Sequence, residues 1–181
     1  MPIDLRFILI WAVSLAICGT LILSAIAGAP LVMHRMDDAQ CTAFAQRADL
    51  VEISQQGPAT PQHAVYTKRV PMIGRDVHAY AASYRDYLDA HLGKQASTLI
   101  DVAPRIMLDL EFGVCAFGAS ERNAQIAADM YRHDIAIITR ASMHGRYRAA
   151  PAATIAQAEF EYGGFAAKQQ AAMGRARINH E

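Results

Sequence analysis

A chain of 181 residues allows one ordinary domain and little more. Its 17 basic and 17 acidic side chains cancel, which argues against a general basic surface for nucleic acid and against an acidic tail. Apolar residues make up 53 %, above the usual share for a soluble domain, and much of the excess is gathered at one end.

That end is "FILIWAVSLAICGTLILSAIAGAPLVM", residues 7–33, with no charged side chain. A helix needs about 20 apolar residues to cross a bilayer, and the run meets this even if Pro30 stops it. The first expectation is therefore a transmembrane-type helix or anchor in residues 1–30, touching the membrane through residues 7–29. A cleaved signal peptide competes, because Ala25-Ile26-Ala27 has a small-x-small pattern, but the run exceeds the usual apolar core of about 7–15 residues. A buried helix, or an N-terminus not native to the domain behind it, is the third reading. Arg6 precedes the run, and Arg35 and Arg47 follow it. The positive-inside bias then favours a single-pass protein with a cytoplasmic C-terminal domain, with a cytoplasmic protein as the alternative. Cys18 lies in the run; Cys41 and Cys115 form no CxxC and read as small buried hydrophobes.

Downstream, "LVMHRMDD" fits a short strand, and "AQCTAFAQRADLVEISQQ" one or two short helices capped by Asp37 or Asp38. In the latter, Ala43, Phe44, Leu50, Val51 and Ile53 are the expected buried positions. Asp76 caps a strong helix, "VHAYAASYRDYLDAHLG", with Val77, Tyr80, Ala81, Tyr84 and Leu88 at helical spacing. "PRIMLDLEFGVCAFG" changes period, and its two apolar runs predict an antiparallel hairpin. Ser120 caps the longest helix, ending at Gly145, with Ile126, Met130, Ile137 and Ala141 as its expected apolar stripe and His133 on the same stripe. Pro151 opens a last short helix, and residues 171–181 read as a flexible tail.

The seven histidines form no HxH or HExxH, and the chain carries no GxSxG, no Walker loop and no GxGxxG. Asp37-Asp38 and Glu159/Glu161 read as caps or solvated charges. No catalytic residue, metal ligand or resident cofactor follows from motifs. The best remaining candidate is "GPATPQHAVYTKRVP", residues 57–71. Pro58, Pro61 and Pro71 stiffen it, and a stiff loop is a good place to hold His63, Lys68 and Arg69 toward a phosphate or carboxylate. The alternative is a rigid connector whose charges face water.

Several segments, in order, resemble the bifunctional rhamnulose-1-phosphate aldolase/short-chain dehydrogenases, in the part that follows the class II aldolase core. They are "MDDAQCTAFAQRADLVEISQQGPATPQHAVYTKRVP", "DVHAYAASYRDYLDAH", "PRIMLDLEFGVCAFG", "ERNAQIAADMYRHDIAIITRASMHGRYRAAPAA" and "FEYGGFAAKQQ". The resemblance covers residues 32–170, and "GPATPQHAVYTKR" is its most specific phrase, with Gln62 where the family usually has Asp. It implies carbohydrate metabolism: aldol cleavage of a sugar phosphate and oxidation of an aldehyde, with zinc and NAD as the family's cofactors. The zinc-binding HxH pair and the Gly-rich nucleotide loop are missing here, so the resemblance implies a middle piece that is not catalytically competent alone. It carries over only a substrate-side role for His63, Lys68 and Arg69. The family's strand-His-Gly-strand hairpin has a counterpart here, with Phe112-Gly113 where His-Gly would stand.

The expected architecture is α+β: a mostly helical small domain over residues 31–170 with a β-hairpin followed by a long helix, preceded by the N-terminal transmembrane-type helix. The expected ligand is a sugar phosphate, with no nucleic acid. A non-enzymatic, membrane-anchored interaction module is the rival function. Nothing in the sequence fixes an oligomeric state.

Overall fold

The computed structural model describes residues 21–94 and 98–163. Four strands form one mixed sheet: β1 (Val32–Met36), β2 (Met72–Ile73), β3 (Ile106–Asp109) and β4 (Gly113–Gly118), in the order β1-β4-β3-β2. The two apolar runs of the expected hairpin are β3 and β4, paired antiparallel from Ile106 opposite Ala116 to Asp109 opposite Gly113. β1 adds antiparallel to β4, with Val32 opposite Gly118 and Met36 opposite Val114. β2 lies parallel to β3, Met72 opposite Met107.

Because strand side chains alternate, the sheet is apolar on both faces. Ile106, Leu108, Val114 and Ala116 face one way. They pack on α1 (Ala39–Ala45), α2 (Leu50–Ser54) and the long α5 (Glu121–Met143) through Phe44, Ile53, Ala128, Tyr131 and Ile135. Met107, Cys115 and Phe117 face the other way and meet Met72, Val77 and Leu23. Val77 opens α4 (Val77–Leu92), the crossover between the parallel strands β2 and β3; its Ala81, Tyr84 and Leu88 extend the buried surface. The loop 57–71 holds a 3-10 turn (Pro61–His63) and α3 (Ala64–Thr67). The described chain ends in α6 (Ala152–Ala158) and a π-helical turn (Glu159–Gly163).

Local chemistry sets the boundaries. The side chains of Asp38, Asp76 and Ser120 each accept a backbone N–H of the first helical turn, from Cys41, Ala79 and Asn123. At the junction of β4 and α5 the backbones nearly touch. A Cβ on Gly118 would stand 2.2 Å from the Ala124 nitrogen. So close an approach favours small residues on the buried face of α5, and Ala124, Ala127 and Ala128 occupy it. The expected stripe of Ile126, Met130, Ile137 and Ala141 is therefore only half-buried, at the shoulder of the helix, and His133 is exposed. In α2, Leu50 and Ile53 are buried as expected, whereas Val51 is exposed.

Two expectations need correction. The domain is not a mostly helical unit with a hairpin alone but a mixed α/β domain around a four-stranded sheet. Its two-residue strand β2 is too short to show an alternation in the sequence. Nor do the described residues support a membrane anchor or a transmembrane location. Among them no helix is long and apolar enough to cross a membrane. Residues 21–27 are helical, and Leu23, only 2 % exposed, is buried against Met107 and Phe117, with Ile26 and Leu31 beside it. The lack of charge that reads as lipid-facing here serves to cover the second apolar face of the sheet. Residues 1–20, which hold the apolar run from residue 7 to 20, and residues 164–181, which include the expected tail 171–181, lie outside the described residues.

Candidate functional site

The loop 57–71 is fixed at both ends by buried polar groups. On the α5 side, Asp134, 1 % exposed, accepts the Ala59 N–H at 2.8 Å and lies 2.8 Å from His63 Nδ1. Tyr147 donates its hydroxyl to the Gly57 carbonyl at 2.9 Å. Burial pushes the Asp134 carboxyl up, against the opposing pull of the Ala59 N–H and of His63. The His133 ring stands edge-on to His63, with centroids 5.3 Å apart.

On the other side, Lys68 Nζ sits 2.8 Å from Glu159 Oε1 and also donates to the Asp101 carbonyl. Lys68 is 7 % exposed and holds φ at +66°, a left-handed conformation that a lysine rarely adopts. The second Glu159 oxygen accepts the Tyr84 hydroxyl at 2.5 Å, and that hydroxyl in turn accepts the Arg69 N–H at 2.9 Å. Burial and the Glu159 charge push the Tyr84 phenol well above its ordinary range, so it serves as a neutral hydrogen-bonding group. Tyr80 donates to the Val70 carbonyl and Gln55 to the Pro71 carbonyl, completing the fixation.

The three candidate residues thus separate. His63 and Lys68 are buried against carboxylates rather than lying together on an accessible side. Arg69 is half-buried, with its guanidinium carbon 5.0 Å from the Tyr87 ring centroid. Its Nε has no hydrogen-bond partner, and Nη2 reaches the Gln56 carbonyl only at 3.4 Å. The other half-buried arginines, Arg47, Arg105 and Arg132, each face an aspartate: Asp49, Asp101 and Asp38. Among the described residues Arg69 is the half-buried arginine that has none. It lines an open pocket of about 240 Å³ between residues 69–73 and one face of α4, where Asp76, Tyr80, Ser83 and Tyr87 project.

At the hairpin tip, Phe112 stands under the Arg75 guanidinium, 4.5 Å from ring centroid to carbon. Arg75 also binds both Asp109 oxygens and Glu111. A phenyl ring cannot ligate a metal, and the nearby Glu111 is already held by Arg75. Among the described residues, no three His, Cys, Asp or Glu side chains converge as a metal-binding group.

Sequence reading missed Asp134, Glu159 and Tyr84 as the partners that hold the loop. Asp134 carried a signal: Tyr131, Asp134, Ile135 and Ile138 share one helical face, so an aspartate there must be buried and paired. Glu159 carried none, because its burial depends on a loop about 90 residues away.

Residues 14–164 match the family described as "Aldolase class II, second domain". An uncharacterized oxidoreductase, YuxG, of Bacillus subtilis (strain 168) is 26 % identical over 121 residues. The match covers 58 % of this chain and 17 % of that protein, so the chain spans only a small part of its relative's length. No solved structure matches the chain.

Proposed function

The chain belongs to the class II aldolase second-domain family, and from that premise we propose that it is the loop-presenting part of a sugar-phosphate enzyme. The enzyme type is the bifunctional rhamnulose-1-phosphate aldolase/short-chain dehydrogenase, which joins aldol cleavage to aldehyde oxidation. The family match supports the aldolase half, and the relative's designation as an oxidoreductase supports the other. In this reading the chain binds and orients, and does not itself break the carbon–carbon bond. The residues described do not fit the zinc of that enzyme type: Phe112 occupies the hairpin position of a ligand, and Glu111 is committed to Arg75. The chain also carries no Gly-rich nucleotide loop for NAD.

The observation that carries the proposal is the division of labour in the loop. His63 and Lys68 are spent on Asp134 and Glu159, which holds the backbone in place, while Arg69 is left at an open pocket. A cation held this way binds an anion without first losing conformational freedom. His63 and Lys68 are then positioning residues and Arg69 the contact residue.

Titration calorimetry of the whole chain tests this. Rhamnulose 1-phosphate should bind at millimolar concentration or below, and unphosphorylated rhamnulose at least about tenfold more weakly, because the charge-assisted bond is lost. Equal affinity for the two sugars, or no heat from either, would refute the reading.

A further inference from the structure

Three buried polar atoms without a hydrogen-bond partner in the protein belong to residues that line one small cavity. They are Arg69 Nε, Tyr131 Oη and Asp134 Oδ2. Tyr131, Asp134 and Ile138 are three and four residues apart on α5, so they share one helical face and form one wall. Ser54, at the end of α2, and Thr67 and Arg69 from the loop form the other. Neighbouring groups account for the rest of each side chain but not for these atoms. Asp134 Oδ1 accepts the Ala59 N–H and faces His63, and Oδ2 meets neither. The Tyr131 ring packs edge-on against Phe44, which fixes where its hydroxyl stands. Arg69 reaches the Gln56 carbonyl through Nη2 and not through Nε. Buried polar groups in folded proteins are bonded to protein or to ordered water, because an unpaired one is costly.

We infer that this cavity binds one water molecule, which accepts the Arg69 Nε–H and the Tyr131 hydroxyl proton and donates to Asp134 Oδ2. The size agrees: the space open to the centre of a water-sized sphere is about 10 Å³, room for a single water. The bond count agrees, since a buried water typically makes about three hydrogen bonds. The charge balance agrees as well. Arg69 and Asp134 cancel, Lys68 is paired with Glu159, and burial together with the Asp134 charge keeps the Tyr131 phenol neutral. A small cation would meet Arg69 and a small anion would meet Asp134, so a neutral molecule fits best. The water gives Arg69 a carboxylate at one remove. It also ties the loop 57–71 to α5 a third time, beside the Ala59 and His63 contacts, and holds the Nε edge of the guanidinium inward. The inference goes beyond the sugar-phosphate reading and does not depend on it. That reading is tested by the heat of ligand binding, this site by the water itself.

The test is a high-resolution crystal structure of the whole chain, with a solution measurement beside it. The crystal should show density for one water within about 2.7–3.2 Å of Arg69 Nε, Tyr131 Oη and Asp134 Oδ2. No density there, a direct bond between Arg69 Nε and Asp134 Oδ2, or an ion in the water's place would overturn the inference. In solution, a held water should give nuclear Overhauser cross-peaks to the Ile138 methyl protons, opposite in sign in the laboratory and rotating frames. In Arg69→Met the water loses a charge-assisted bond, and the cross-peak should weaken at least about threefold, while Arg140→Gln, far from the cavity, leaves it unchanged. A cross-peak of full intensity in Arg69→Met would come from the Tyr131 hydroxyl instead and would count against the water. Should Arg69→Met fail to fold, the wild-type crystal decides alone.

Discussion

Lys68 and Glu159 are 91 positions apart in the chain, yet Nζ and Oε1 stand 2.8 Å apart in a buried pair. This contact ties the loop 57–71 to the last described turn. Taking either charge away leaves the other buried without compensation. Lys68→Met and Glu159→Leu should each lower unfolding free energy by about 3–5 kcal/mol, whereas the two changes together should recover much of the loss. Denaturant titration of the four proteins measures the coupling. Losses below about 1 kcal/mol for both single variants would mean that the pair is solvated.

The loop's other anchor gives a pH signature. Burial raises the Asp134 carboxyl above its unfolded value of 3.8, so between that value and the folded one the native state holds more protons than the unfolded state. Stability from this group is then fully present below the unfolded value and falls as pH rises through the window. Groups facing Asp134 include His63, His133, Tyr131 and Tyr147, and only the difference between proteins isolates its share. Unfolding free energy of wild type minus that of Asp134→Asn should fall as pH rises above about 4 and then level off. A difference that rises with pH there would show a carboxyl stabilised in its charged form instead.

Leu23 tests the corrected reading of the apolar run. Buried against Met107 and Phe117, it should cost about 2–5 kcal/mol when changed to Ala, measured by thermal or denaturant unfolding. A change within about 0.5 kcal/mol would place residue 23 outside the core.

How much of this was legible beforehand depends on whether the signal was local. Caps at Asp38, Asp76 and Ser120, the tyrosine stripe of α4 and the hairpin of β3 and β4 all follow from residues within a few positions of each other. The pairing of β1 with β4 and of β2 with β3 does not, because it depends on partners about 35 to 80 residues away and β2 is two residues long. Residues 21–27, the described part of the apolar run, were misread for a related reason: a helix that covers a sheet and one that crosses a membrane can share a composition. At the site, the loop stood out by its prolines and charges, and of its three named residues Arg69 is the one that lines the open pocket. That His63 and Lys68 are turned inward could not be read from the loop, since the carboxylates that hold them come from α5 and the final turn.

The most direct test is to follow the Arg69 Nε–H by nitrogen-15 NMR, assigned by its absence in Arg69→Lys, while glycerol 3-phosphate is added to the whole chain. The Arg69 side chain lines the pocket, and its Nε, itself buried, has no partner in the protein and so reports on changes around the guanidinium. Its resonance should move progressively and saturate as the phosphate binds against the guanidinium, with the Nε–H signals of Arg47 and Arg132, which donate to Asp49 and Asp38, staying in place. An Arg69 signal that does not move at saturating ligand would contradict a role for this loop in holding an anion.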